Sequence, residues 1–170
     1  TIREEHNDFE NLNVMLVGDL RYGRTAHSLS HALARFNVNL TLVSPEALKM
    51  PKEIVDDLLS LGCNVIETDE LNENIKHSDV IYMTRIQKER FPDEDEYAKV
   101  SGIYKISESN LVGSKENMII MHPLPRVSEI HPSVDSTKYA RYFQQAFNGI
   151  PTRMALLCKS LGIDIEKEVS

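Results

Sequence analysis

Three short segments hold residue types able to bind a small anion. The first reads Gly18-Asp19-Leu20-Arg21-Tyr22-Gly23-Arg24-Thr25. Its two glycines permit a tight turn and a close approach of backbone to ligand. Arg24 then stands at the start of a helix, where unpaired N–H groups and the helix dipole already favour negative charge. A carboxylate or phosphate suits that chemistry; the competing reading is an arginine that only pairs with a nearby Glu. The second segment is Thr84-Arg85-Ile86-Gln87-Lys88-Glu89-Arg90-Phe91. In extended backbone Arg85 and Gln87 point the same way, so a guanidinium fork and an amide converge on one ligand group. Glu89 follows on that face, where it can orient Arg85; otherwise the segment is an exposed charged loop. The third is His122-Pro123-Leu124-Pro125-Arg126. Two prolines around one leucine leave carbonyls with no helix or sheet duty, and a cis Leu124–Pro125 bond is expected. Such a stiff turn can aim a carbonyl oxygen at an amine, or it can be purely structural.

The first octet is one residue away from the nucleotide-binding pattern G-x-x-x-x-G-K-[ST], with Arg24 in place of lysine. Lysine acts there as a compact point charge on the outer phosphates, and the flat arginine fork has a different shape. The dinucleotide pattern G-x-G-x-x-G is absent from the octet.

These segments need a scaffold that brings them together. Short apolar runs at Val14–Val17, Asn39–Val43, Asn64–Glu67, Val80–Met83 and Met118–Met121 alternate with helical patterns. That alternation predicts a three-layer α/β/α domain with a doubly wound, mostly parallel sheet of Rossmann-like type. Continuously apolar strands fit a sheet covered on both faces. Between the first two strands Ala26, Leu29, Ala32, Leu33 and Phe36 recur at helical spacing, with Thr25 as the expected N-cap. Pro45 opens the next helical region, striped by Ile54, Val55, Leu58, Leu59 and Leu61 and stopped by Gly62. Residues 90–101 read as a solvated acidic loop with a short helix, or as a mobile loop beside a ligand site. A helix over Thr137–Phe147 is followed by Asn148-Gly149-Ile150-Pro151, a signal to break and restart, and a second helix to Leu161. Asp164–Ser170 is polar and expected to fray. In this α/β order ligands bind beyond the carboxyl ends of the strands, where all three segments fall.

The chain of 170 residues is 41% hydrophobic and 26% charged, the balance of a globular domain, with a formal net charge of −7. A net acidic chain lacks the basic face that nucleic acids and anionic membranes require. Locally clustered arginines still permit a small anion. Cys63 and Cys158 are the only cysteines, match no metal-ligand spacing, and read as buried free thiols of a cytoplasmic protein. No apolar run reaches the roughly 20 residues of a membrane span. The first residues, Thr-Ile-Arg-Glu-Glu-His-Asn-Asp, resemble no signal peptide and begin as though inside a helix, as in a piece of a longer chain.

Together the three segments, with Tyr142-Phe143-Gln144-Gln145-Ala146-Phe147-Asn148-Gly149-Ile150, resemble the aspartate domain of aspartate transcarbamoylase catalytic chains. The resemblance spans Asn11 to Leu161, with residues 1–10 as the end of an interdomain helix or linker, 11–162 as the L-aspartate-binding domain and 163–170 as a tail. It implies transfer of a carbamoyl group from carbamoyl phosphate to L-aspartate, giving N-carbamoyl-L-aspartate and phosphate in de novo pyrimidine biosynthesis, with no cofactor and no metal. It implies that Arg24 binds one aspartate carboxylate, that Arg85 and Gln87 hold the other, and that Glu89 steadies Arg85. The Leu124 carbonyl, beside Pro125, is implied to contact the attacking amine and the carbamoyl group. Arg153, Arg90 and Tyr22 are implied supports around the site. Two positions depart from the family, Arg21 in place of a common lysine and Ser128 in place of a usual aspartate; both belong to loop contacts that adjust a closed state. The family's phosphate-binding Ser-Thr-Arg-Thr motif is absent from this sequence, so the implied partners are the carbamoyl-phosphate-binding half, a homotrimer of catalytic chains and regulatory chains. The alternatives are an ornithine-type transcarbamoylase domain, which typically carries His-Cys-Leu-Pro at the third segment, and a non-catalytic small-anion or nucleotide-binding module.

Overall fold

The computed structural model describes residues 1–91 and 93–163. Five strands, β1 (Asn13–Val17), β2 (Asn39–Val43), β3 (Asn64–Thr68), β4 (Val80–Met83) and β5 (Ile119–Met121), form one parallel sheet in the order β3-β2-β1-β4-β5. Side chains alternate across the pleat, so every strand except the edge strand β3 feeds two cores. Val14, Leu16, Leu40, Leu42, Val80 and Tyr82 face one core, covered by α2 (Arg24–Leu33) and α3 (Lys52–Ser60). Met15, Val17, Ile81, Met83 and Ile120 face the other, closed by α4 (Leu71–Ile75), by Leu111 and Val134, and by Tyr142 at the start of α6 (Tyr142–Ser160). The three-layer, doubly wound architecture is the one the alternation predicts. A short α1 (Ile2–His6) sets Ile2 into the first core, and α5 (Glu94–Val100) lies within the acidic segment, capped by the Asp93 carboxylate on the Asp95 N–H.

Several local expectations are corrected. The cap of α2 is Gly23 rather than Thr25, because the turn closes two residues earlier and a side chain at 23 would collide with the Asp19 carbonyl. Pro45 leads only into a 3₁₀ turn, Glu46–Leu48, and Pro51 opens α3, of whose stripe Leu58 is buried while Leu59 and Leu61 are exposed. Gly62 ends that helix with φ 81°, as expected. The strand β3 is an edge, and Ile66 is 54% exposed, so it is not covered on both faces.

The expected Thr137–Phe147 helix does not form as such: the residues before Tyr142 run along the outer edge of β5, where the Ile120 N–H donates to the Tyr139 carbonyl and the Arg141 N–H to the Ile120 carbonyl. From Tyr142 a single helix of 19 residues continues through Pro151 without a break. The Thr152 hydroxyl donates to the Asn148 carbonyl inside this stretch, and the proline lies on an exposed face, so the lost backbone donor is tolerated. Both cysteines are free, but only Cys63 is buried. The expectation for Asp164–Ser170 lies outside the described residues.

At the amino ends of the strands a polar ladder crosses the sheet. Asn13, Asn39 and Asn64 are paired in register, and Asn64 Nδ2 donates to Asn39 Oδ1 at 3.2 Å, as Asn39 Nδ2 does to Asn13 Oδ1. Asn13 in turn donates through Nδ2 and its backbone N–H to Asp79 Oδ2, at 3.2 and 2.8 Å, and Lys115 Nζ neutralises Asp79 from 2.7 Å. Asn39 stands in the middle of the row, its side chain bonded to Asn13 on one side and to Asn64 on the other. Asn39→Ala is expected to cost about 1–2 kcal/mol, since two side-chain hydrogen bonds are lost. A urea titration checks this, with a lower midpoint and an unchanged m-value as the expected result.

Candidate functional site

The strand order reverses between β1 and β4, and the chain leaves these two neighbours toward opposite sides. Their junction is tightly knit. Gly18, with φ 114°, brings its Cα so close to Thr84 that a side chain there would collide with the Thr84 carbonyl. The buried Thr84 hydroxyl donates to the Val17 carbonyl at 2.9 Å and accepts the Asp19 N–H at 3.0 Å. Only a residue with one small hydroxyl can do both in that space.

Above the junction lies a crevice of about 250 Å³ lined by Asp19, Gly23, Arg24, Thr25, Thr84, Arg85, Gln87, Arg90 and the turn His122–Pro125. All three predicted segments meet there. Arg24 is exposed at the first turn of α2, and among the described residues its guanidinium makes no ion pair. Arg85, 29% exposed, pairs with Glu89 at 3.0 Å, the contact expected from their spacing. Gln87 is held differently from expectation: its Oε1 accepts from Arg90 Nε at 2.6 Å, while Arg90 Nη1 donates to the Tyr22 carbonyl at 2.8 Å. Arg90 thus ties the second segment to the first, and Tyr22 contributes a backbone atom. Arg153 lies outside this lining, on the exposed side of α6, folded over the bare Cα of Gly149.

One functional-looking residue escaped the sequence reading. Asp19 is 1% exposed; its Oδ1 accepts the Tyr22 N–H at 2.9 Å, and its Oδ2 has no partner. Burial pushes its carboxyl up, against the Tyr22 N–H and the nearby Arg90, which favour the charge. It supplies the one negative group beneath three guanidiniums. The sequence signal was a carboxylate directly after an apolar strand, where only a turn glycine precedes it.

The third segment is clamped from several sides. Leu124 has φ 48° and a cis bond to Pro125. The His122 N–H donates to Gln145 Oε1 on α6 at 2.9 Å, and the His122 ring pairs with Glu129 at 2.8 Å. Arg126 forks onto both oxygens of Asp135 at 2.5 Å and stacks over Tyr142 and Phe143. A second, larger cavity of about 630 Å³ shares Thr84 and Arg85, but the rest of its wall combines Ile86, Phe91, Tyr97, Tyr104 and Val127 with the carboxylates of Glu89, Asp93, Glu94 and Glu129, and its one further cation, Lys88, pairs with Glu94. The smaller crevice, with three arginines and a helix N-terminus, is the better anion site.

Fold and crevice define a class: a doubly wound parallel α/β domain with a cationic small-molecule crevice at its switch point. The family profile described as aspartate/ornithine carbamoyltransferase, Asp/Orn binding domain, matches residues 10–159. The aspartate carbamoyltransferase catalytic subunit of Thermococcus kodakarensis is 54% identical over 163 residues, covering 96% of this chain and 53% of that protein. Its counterpart in Methanocella arvoryzae is 56% identical over 154 residues, covering 91% and 50%. Among solved structures, the catalytic subunit of M. jannaschii aspartate transcarbamoylase matches with a TM-score of 0.85 at 48% identity, over 93% of this chain and 52% of that one. The Trypanosoma cruzi enzyme in complex with carbamoyl phosphate and aspartate matches with a TM-score of 0.85 at 36% identity, over 92% and 52%. The chain therefore belongs to the aspartate/ornithine carbamoyltransferase family, as its Asp/Orn binding domain, and it spans about half the length of the relatives it matches.

Burial opposes the charge of Glu129, yet hydrogen bonds from His122 and from the N–H groups of Glu129 and Val127 hold its carboxyl below the ordinary value. Because the folded value is the lower one, the stabilisation is present above the ordinary value of 4.5 and is lost as pH falls through the folded one. Glu129→Gln is expected to flatten the acid limb of the stability curve below about pH 4.5, measured by urea denaturation at a series of pH values. An acid limb as steep as that of the wild type would assign the loss to other carboxylates.

Proposed function

We propose that this chain is the aspartate-binding half of an aspartate carbamoyltransferase, which joins the carbamoyl group of carbamoyl phosphate to the amine of L-aspartate in de novo pyrimidine biosynthesis. The observation that carries the reading is the crevice at the switch point, where Arg24, Arg85 and the Leu124 turn converge from three strand ends. The T. cruzi structure holding carbamoyl phosphate and aspartate, at 36% identity, supports it, as do relatives that carry the same catalytic-subunit description. A dicarboxylate needs two separated cationic forks and a carbonyl-lined turn for its amine. Arg24 takes one carboxylate and Arg85, with Gln87 beside it, takes the other; Glu89 and Arg90 hold these partners in place, and Arg153 stands further out on α6.

In the reaction the aspartate amine attacks the carbamoyl carbon, a C–N bond forms, the C–O bond to phosphate breaks, and the amine gives up a proton. The Leu124 carbonyl, next to Pro125, orients that amine. Catalysis rests on positioning and on electrostatic stabilisation of the developing oxyanion. Ornithine would bring an ammonium group to Arg85, a like-charge contact, and the third segment reads His122-Pro123-Leu124-Pro125; both favour aspartate over ornithine.

The carbamoyl-phosphate-binding half is the partner this reading requires. Phe143, Phe147, Ile150, Met154, Leu157 and Leu161 form a stripe at alternating steps of three and four along α6, all 55–74% exposed. Such a stripe is the geometry of a helix that packs on another apolar surface. A trimer of catalytic chains with regulatory chains, in the cytoplasm, belongs to the same whole-enzyme reading. Among the described residues no helix is long and apolar enough to cross a membrane.

Two measurements test this. Titration of the 15N-labelled chain with L-aspartate should shift the Arg24, Arg85 and Leu124 signals, and L-ornithine should not; equal responses would remove the aspartate assignment. In the full catalytic chain Arg85→Ala should raise the aspartate KM by on the order of a hundredfold, as expected for a lost charge-assisted fork worth about 3 kcal/mol, with carbamoyl phosphate binding intact. The 170-residue chain alone should not turn over, and adding the other half should restore activity.

A further inference from the structure

Glu129 has no part in the chemistry above, yet it is 8% exposed and its one side-chain partner is a buried ring. The geometry around that ring is restrictive. Nδ1 of His122 accepts the Leu124 N–H at 2.8 Å, so Nδ1 carries no proton. A neutral imidazole has one donor and one acceptor nitrogen, so the proton sits on Nε2 and is donated to Glu129 Oε1, 2.8 Å away. The carboxylate itself cannot turn freely, because the Val127 N–H donates to it at 3.2 Å and the Ser128 N–H at 3.1 Å. The other tautomer, or a doubly protonated ring, would set two N–H groups against each other at the Leu124 amide. Leu124 holds φ 48°, a conformation a leucine adopts only where its surroundings impose it.

We propose that Glu129 is a positioning residue for the transfer reaction: by fixing His122 in its Nε2–H form, it anchors the Leu124 amide on Nδ1 and holds the Leu124 turn against the crevice. The line Glu129–His122–Leu124 runs from a buried carboxylate to a backbone unit that lines the site. This inference rests on the reading that the Leu124 carbonyl orients the attacking amine. It predicts an effect on turnover rather than on aspartate capture, since the carboxylates are held by other segments.

The test has a spectroscopic and a kinetic arm. Long-range 1H–15N spectra of the chain with labelled histidine should show His122 as the Nε2–H tautomer at neutral pH. An Nδ1–H or doubly protonated His122 would overturn the inference whatever the kinetics. Glu129→Gln retains an acceptor oxygen and should keep that tautomer, whereas Glu129→Leu should release it. In the full catalytic chain, Glu129→Leu is expected to lower kcat by on the order of tenfold or more, with the aspartate KM changed less than about threefold, and Glu129→Gln to recover most of the loss. An unchanged kcat in Glu129→Leu, or a Gln variant no better than the Leu variant, would also overturn it. If Glu129→Leu does not fold, the wild-type spectrum and the Gln variant decide. A wild-type full chain without carbamoyl transfer would refute the functional reading instead, and the tautomer measurement would still decide this one.

Discussion

The hydroxyl of Thr84 joins two strands at the point where the chain departs to opposite sides of the sheet. It donates to the end of β1 and accepts from the first residue of the loop beyond, so the segments carrying Arg24 and Arg85 start from a common fixed point. Gly18 makes the approach possible, and Asp19 turns the chain by accepting the Tyr22 N–H. Every later contact in the crevice is built outward from this junction. Arg90 closes the loop by returning from the second segment to the Tyr22 carbonyl of the first. A valine at 84 would keep the shape and the backbone bond from residue 84 to the Val17 carbonyl, but leave the buried Asp19 N–H without its partner, a cost that falls on the site as well as on the core.

The crevice also shows how an acidic chain holds an anion. The formal net charge of −7 is spread over the surface, while three arginines gather above one buried carboxylate. Two of them are held by neighbours, Arg85 by the Glu89 carboxylate and Arg90 by the neutral Gln87 and Tyr22 oxygens. Those neighbours fix the direction of each fork, which limits the rotamer entropy a ligand would otherwise have to overcome. Arg24, at the mouth, keeps its full charge for whatever arrives.

The sheet and its two cores were readable because strand-like apolar runs and helical stripes alternate without ambiguity. The site was readable as three segments at strand ends, and the Arg85–Glu89 pair followed from spacing. What could not be read were contacts made across long sequence separations. Nothing local to Gln87 indicates that Arg90, not a ligand, takes its oxygen in this structure. Nothing local to Asp19 marks it as buried, since only the fold covers it. The break expected at Asn148–Pro151 failed for a related reason: turn propensity is local, whereas the continuity of α6 is anchored at a distance, where Arg141 pairs with Glu5 and Asn148 reaches Thr1 and Glu4. The helical expectation before Tyr142 lost to pairing with the edge of β5.

The asparagine ladder lies at the far end of the sheet from the crevice, and its consequence is one of tolerance. A strand slipped by one residue turns its apolar side chains to the wrong face and is penalised by the whole core. A slip of two residues keeps the faces correct, and hydrophobic burial alone discriminates against it weakly. It would nevertheless carry a strand end about 6.6 Å along its axis, well beyond the reach within which a guanidinium fork meets a carboxylate. The matched Asn13, Asn39 and Asn64 act as teeth on a gauge: each amide meets its neighbour only when the rows coincide. Dimensional accuracy at the binding end is thus secured by an inspection mark at the opposite edge, in residues that never approach a ligand.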